Sequence, residues 1–255
     1  YGVSGVFSGE GVTFTAGQYQ FDPASVAGPF PKTVPILYSY TNVYGCASSG
    51  SKSIEVVNEP AFACENQMTP LRDVRTTPNK TYNTYWRGNR CWMIQNLDYG
   101  TEISTTLAQT DNCQPQKYCP ASDPGCTLNG GFYQWDELMQ YSSQQGVQGL
   151  CPPGWHVPSL NEWQMLIDDP LNEGNALAGG FLKDMPFSPK LEGVFYMNNT
   201  WKFLQGENPT STLFWTSTLN SSFKAWARGL NNFTPSVSLY SSSRLNAFPV
   251  RCIKD

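Results

Sequence analysis

The chain has a single histidine, His156, and any acid–base or nucleophilic mechanism built on imidazole has to use it. It stands in a turn between Trp155 and Val157-Pro158, where a ring nitrogen commonly bonds a backbone carbonyl. No G-x-S-x-G elbow accompanies it, so the residue reads as structural. Two adjacent acidic pairs, Asp136-Glu137 and Asp168-Asp169, are the next candidates. Glycosidase carboxyls must face each other across a sugar at roughly 5–10 Å. Neighbours on a helix point in different directions, so both pairs read as helix-end charges. A reactive thiolate needs a nearby cation, and Arg251 beside Cys252 hints at one. One histidine and no CxxC argue against zinc, and no D-x-D-x-D-G calcium loop is present.

These groups are positioned by a loop that runs into a helix. Pro152-Pro153 exclude helix and central strand, and Gly154 allows a tight turn. Ser159 and Glu162 have the spacing of a capping box, and Trp163, Leu166 and Ile167 give the following helix an apolar stripe. That helix is expected over about 159–168, another over about 135–144, and a weaker third over about 176–184. Alternating segments predict strands at 12–15, 18–21, 34–41 and 51–57, then at 81–86 and 91–94 with Gly88-Asn89 turning between them. Later strands are expected at 193–196, 213–217, 225–228, 236–239 and 247–253, which places Cys252 in the last. The plan is α+β: two or three short helices on one irregular, mostly antiparallel sheet with long loops.

Composition narrows the function classes. The 255 residues carry a net charge of −4 with no block of like charges, which argues against nucleic acid. Only 14% are charged and another 14% are aromatic, a balance that suits an extracellular protein. Eight cysteines read as disulfides formed in an oxidising compartment. No apolar run approaches the roughly 20 residues of a membrane span, and no signal peptide is visible. Residues 98–130 are loop-rich and hold Cys113, Cys119 and Cys126. Spacing does not fix connectivity, but Cys119–Cys126 is the favoured pair, with Cys113 and Cys46 left over.

Four ordered blocks carry a resemblance. They are Cys91-Trp92-Met93-Ile94-Gln95-Asn96-Leu97, Gly130-Gly131-Phe132-Tyr133-Gln134-Trp135-Asp136-Glu137, Gly149-Leu150-Cys151-Pro152-Pro153-Gly154-Trp155-His156-Val157-Pro158-Ser159 with Glu162-Trp163, and the ending Phe248-Pro249-Val250-Arg251-Cys252. Together they resemble the Fibrobacter succinogenes major paralogous domain, over roughly residues 60–255. The resemblance implies a C-type-lectin-like fold, related to the formylglycine-generating group, on a bacterial outer surface. It makes Trp155, His156, Pro158, Glu162 and Trp163 the structural hallmark. It also implies a Cys64–Cys91 bridge and suits a Cys151–Cys252 bridge tying the hallmark loop to the last strand. Such folds often carry calcium, so Ca2+ stays open, although no Glu-Pro-Asn triplet is present.

Phe21-Asp22-Pro23-Ala24, the Tyr38-x-Tyr40-Thr41 strand, Gly45-Cys46 and Ile54-Glu55-Val56 make residues 1–58 resemble a partial bacterial immunoglobulin-like β-sandwich that lacks its opening strands, joined by a linker at 59–62 to a domain over 63–255. The chain is expected to begin inside a longer polypeptide; the alternative is that the half-repeat accepts a strand from a neighbour. The expected function is a non-catalytic extracellular binding or adhesion module for a glycan or protein ligand. Its face is placed on the late loops, about 195–246, with Trp201, Trp215, Trp226, Arg228, Asn231 and Arg244 as candidate ligand residues. The alternatives are a structural subunit of a surface assembly and, less favoured, a formylglycine-generating-like enzyme.

Overall fold

The computed structural model describes residues 5–15, 17–41, 45–56, 64, 69–76, 78–169, 178–184, 187, 191, 194–198, 200–204 and 210–255, with 181, 194–198 and 200–204 described by backbone alone. The chain divides into two compact units, Tyr1–Phe62 and Ala63–Asp255. The expected linker at 59–62 lies outside the described residues.

In the first unit, β1 (Val6–Ser8), β4 (Lys32–Thr41) and β5 (Ala47–Val56) form an antiparallel sheet, while β2 (Val12–Thr15) and β3 (Gln18–Phe21) make a hairpin. Val26, Val34 and Val56 are its buried centre, with Phe21, Phe30 and Ile36 packed against them. β5 is rich in serine and leaves every residue but Val56 exposed. Among the described residues it pairs only with β4.

The second unit is mostly β with three short helices. It opens with the meander β6 (Thr69–Asp73), β7 (Lys80–Arg87) and β8 (Arg90–Met93). Gly88 and Asn89, at φ 55° and 58°, close the β7–β8 hairpin, because two positive φ values match the right-handed twist of the flanking strands. Next come the parallel pair β9 (Thr101–Glu102) and β10 (Gln116–Lys117), then β11 (Tyr133–Gln134) leading into α1 (Trp135–Leu138). β12 (Trp155–His156), α2 (Leu160–Ile167) and α3 (Ala178–Lys183) follow. The last part holds β13 (Val194–Asn198), β14 (Thr200–Leu204), β15 (Ser211–Ser221), β16 (Lys224–Asn231) and β17 (Ser238–Ser243). It ends with β18 (Ala247–Phe248) and β19 (Ile253–Lys254).

These strands build several sheets, where one was expected. The orders are β12-β19-β8-β7-β6, β11-β18-β13-β14 and β15-β16-β17, beside the β9–β10 pair. The final strand is split because Pro249 has no N–H to give a ladder. The carbonyls of Pro249 and Val250 instead accept from Trp215 and Leu97, at 3.2 and 2.9 Å. Cys252 therefore lies between two short strands. The first helix is also shorter than expected: Gln140 and Tyr141 turn to φ 49° and 59°, which ends it after one turn.

Where the sheets meet α2, Trp92, Trp163, Phe214 and Ile253 are fully buried, in one cluster with Leu166, Phe187 and Leu230. Each large side chain removed from water here contributes about 1.5–3 kcal/mol. Three disulfides staple the unit: Cys64–Cys91, Cys119–Cys126 and Cys151–Cys252. Cys46 and Cys113 are exposed and lie outside these three bridges.

The bridges span 27, 7 and 101 residues, so they constrain the unfolded chain very unequally. Replacing Cys151 and Cys252 together by alanine should cost about 5 kcal/mol, against about 2 kcal/mol for Cys119 and Cys126. Urea denaturation of the two double variants checks this order.

Candidate functional site

The loop from Gly149 to Trp163 is held from every side. A Cβ on Gly149 would lie 2.3 Å from the Leu138 carbonyl oxygen, so the position requires glycine. Arg75 grips Asp73 through Nε and Nη2 at 2.8 and 2.7 Å, and its Nη1 donates to the carbonyls of Leu150 and Cys151 at 3.0 and 2.8 Å. Cys151 is bridged to Cys252. Trp155 donates its backbone N–H to Pro152, which makes the turn, and β12 then pairs with β19. Pro158 accepts from the Ser217 N–H at 2.8 Å.

His156 sits between two carboxylates. Nδ1 meets Asp255 Oδ1 at 2.6 Å and Nε2 meets Glu162 Oε1 at 2.9 Å. Glu162 also accepts from the Ser159 N–H and Oγ, each at 2.8 Å, while Ser159 Oγ accepts from the Glu162 N–H; this completes the capping box. Burial opposes an imidazolium, but the bonds to Glu162 and Asp255 outweigh it and raise the His156 pKa. For Glu162 burial likewise opposes the charge, and the bonds from His156 and Ser159 bring the pKa down to about 2. Both ring nitrogens are spent on carboxylates and Ser159 Oγ points to Glu162, so the cluster offers neither a base nor an activated nucleophile.

A cleft of about 350 Å³ opens elsewhere, between the β7–β8 hairpin, the 126–130 turn and the segment before β19. Arg251 forms its inner end and is 2% exposed. Its Nε donates to Asn96 Oδ1 at 3.1 Å, Nη1 donates to the Phe187 carbonyl, and the guanidinium lies 4.2 Å over the Phe187 ring. Burial lowers the Arg251 pKa to about 9. Asn96 Nδ2 donates to the Asn129 carbonyl at 2.8 Å, so Asn96 links the two walls. Gly130, at φ +76°, lets the turn approach: a Cβ there would lie 2.6 Å from Asn96 Cβ. At the rim Lys80 pairs with Asp98, which also pairs with Lys117. Burial first, and then repulsion from Lys117, lowers the Lys80 pKa to about 8.

The sequence matches the family described as Fibrobacter succinogenes major domain over residues 87–254. The chain belongs to that family. No curated protein and no solved structure matches it. The hallmark loop and most of the cleft fall inside the matched span of the major domain, while Lys80, Thr81 and Tyr82 precede it. Its three disulfides are consistent with maturation in an oxidising, extracytoplasmic compartment. No described helix is long and apolar enough to cross a membrane.

The late-loop residues expected as ligand contacts have different surroundings in the major domain. Trp215 is fully buried against Phe248 and donates to the Tyr133 carbonyl, so it is core, which corrects the expectation. Arg228 is buried as well, with Nη2 donating to Gln164 Oε1 at 2.6 Å. Arg244 is a brace: it bonds Asp136 and the Ser222 carbonyl and lies over the Trp135 ring. Asn231 Oδ1 accepts the N–H groups of Phe233 and Thr234, capping its own turn. Trp226 is half-buried, and the Trp201 side chain lies outside the described residues.

The acidic pairs diverge, as their spacing requires. Asp136 meets Arg244, while Glu137 turns inward to accept from Gln116 N–H and Tyr141 Oη at 2.8 and 2.9 Å. Asp168 accepts from Gln164 Nε2, and Asp169 from the Gly88 N–H. Among the described residues no group of three or more His, Cys, Asp or Glu side chains gathers as a metal set. The cleft residues Lys80, Asn96, Asp98, Asn129 and Arg251 were not among the expected contacts. The available signal was that three of the quoted blocks contribute Asn96, Gly130 and Arg251 to it.

The pH dependence of stability follows from the clamp. A raised His156 pKa stabilises fully below the unfolded value of 6.5, and the contribution is lost as pH climbs through the folded value. The depressed Glu162 pKa acts above 4.5 and its contribution is lost as pH falls towards about 2. The cluster should therefore contribute most between pH 4.5 and 6.5. Glu162→Gln should cost about 2 kcal/mol in that window, and His156→Gln should flatten the alkaline limb. Urea unfolding across a pH series measures both.

Proposed function

We propose that the major domain is a non-catalytic extracellular binding module, with its ligand site in the Arg251 cleft rather than on the late loops. The observation that carries this reading is a concave site lined by a buried guanidinium, that of Arg251, together with the polar residues Lys80, Gln95 and Thr127. Binding sites commonly join a partly apolar cleft to a few fixed polar groups. Ile94 and Leu128 supply the apolar part. The cation–carboxylate clamp at His156 supports a scaffold role for the hallmark loop. Adhesion, with a glycan as the captured ligand, is the activity that suits such a surface-displayed domain.

Leu128 is 69% exposed at the cleft rim, so Leu128→Trp should leave folding intact while filling the mouth. On a glycan array the wild-type protein should retain ligands that the variant binds at least about tenfold more weakly. Retention of the same ligands by both proteins would sink the reading.

A second reading concerns the first unit, taken as an incomplete immunoglobulin-like sandwich that docks into a surface assembly. It is favoured by β5, a ten-residue strand paired among the described residues on one edge only. Such an edge is a template for strand addition. Sedimentation velocity over a concentration series should show mass rising above the monomer; a mass that stays monomeric removes this reading.

A further inference from the structure

We propose that the cleft receives the carboxylate of an acidic sugar, with Arg251 as its anchor; this rests on the cleft being the binding site. Arg251 is 2% exposed, yet among the described residues no carboxylate pairs with it. Arg75 and Arg244, in contrast, are matched to Asp73 and Asp136. Two of the Arg251 nitrogens are committed, Nε to Asn96 and Nη1 to Phe187, and Nη2 has no acceptor among the described residues. A guanidinium buried without an anion carries an uncompensated desolvation cost, which a ligand oxyanion relieves.

The surroundings favour an anion that arrives from the cleft. Asp98 already faces Lys80 and Lys117, so the nearest lining carboxylate is neutralised, and the lining keeps a net positive charge. The Phe187 and Phe214 rings, 4.2 and 5.4 Å from the guanidinium carbon, hold its plane. With Nε and Nη1 held by Asn96 and Phe187, Nη2 is the nitrogen left to donate to a carboxylate oxygen, and such a charge-assisted bond is stronger than a neutral one. The sugar assignment comes from the remaining groups. Gln95 Oε1 accepts from the Asn83 N–H and the Thr127 hydroxyl donates to Asp123, which leaves the Gln95 Nε2 donors and the Thr127 lone pairs for ring hydroxyls, while Leu128 and Ile94 give the lining an apolar part for a ring face. A volume of about 350 Å³ is at the small end of ligand clefts and suits a single ring. Asn96 acts as a positioning residue, since its oxygen orients Arg251 and its amide is spent on Asn129.

The test is a set of NMR titrations of the full chain at matched ionic strength, with D-glucuronate, D-glucose and N-acetylglycine as probes. Glucuronate should give saturable shifts at cleft residues, with affinity at least about tenfold above that for either other probe. Arg251→Lys should erase the preference. Lys80→Gln, at the half-buried rim, should weaken glucuronate several-fold and covers the case in which the Arg251 variant does not fold. Equal binding of glucose overturns the role of the anion and leaves the binding module standing. Equal binding of N-acetylglycine overturns the sugar assignment. If glucuronate leaves the cleft unperturbed while array ligands remain sensitive to Leu128→Trp, the inference fails alone. If the array ligands are also insensitive, the binding reading fails with it.

Discussion

The second unit depends on where Trp163 is held. Its indole lies 5.1 Å from that of Trp92 and 5.5 Å from Phe214, which ties α2 to two different sheets. Small sheets of two to five strands bury little by themselves, so a shared aromatic contact is what makes one core of them. The contact has a cost as well as a gain. The Nε1 groups of Trp92 and Trp163 have no hydrogen-bond partner among the described residues, and each such buried donor costs about 1–3 kcal/mol. Large apolar burial outweighs that loss here, and the identity of the rings matters more than their polar handles.

From that contact the remaining geometry follows in order. Seating Trp163 fixes α2, the capping box fixes Ser159 and Glu162, and Glu162 fixes His156. β12 then sets β19 beside it, and Ile253 reaches Trp92 across the sheet. Arg251, two residues before Ile253 and next to the Cys151–Cys252 bridge, is left with little freedom. The hallmark loop and the cleft are separate places, but the first determines where the second keeps its cation.

Much of the scaffold was legible in the sequence because its signals are local. The capping box at Ser159, the Gly88-Asn89 turn and the apolar stripe of α2 are each written within a few residues. The three disulfides formed between the cysteines that were paired in the reading, one of them through family likeness. The early end of α1 was not legible, because Gln140 and Tyr141 take left-handed backbone without being glycine. The cleft was missed for a different reason. Its walls come from positions as far apart as Lys80 and Arg251, joined by sheet pairing that no periodicity encodes. Trp215 misled in turn: it has the look of a binding residue in a Ser- and Thr-rich strand, but that strand is buried on both faces from Thr212 to Ser217.

The Cys64–Cys91 bridge changes how the molecule bears mechanical load. Tension travelling down the chain towards Cys64 crosses the sulfur–sulfur bond into β8 at Cys91. The 27-residue span between the two cysteines, with β6 and β7 in it, is short-circuited and cannot lengthen while the bridge is intact. β8 is flanked by β7 and β19, so the pull arrives in the interior of the five-stranded sheet and not at its β6 edge. Force therefore enters a strand that is paired on both sides, and two ladders rather than one have to give way before it leaves the sheet.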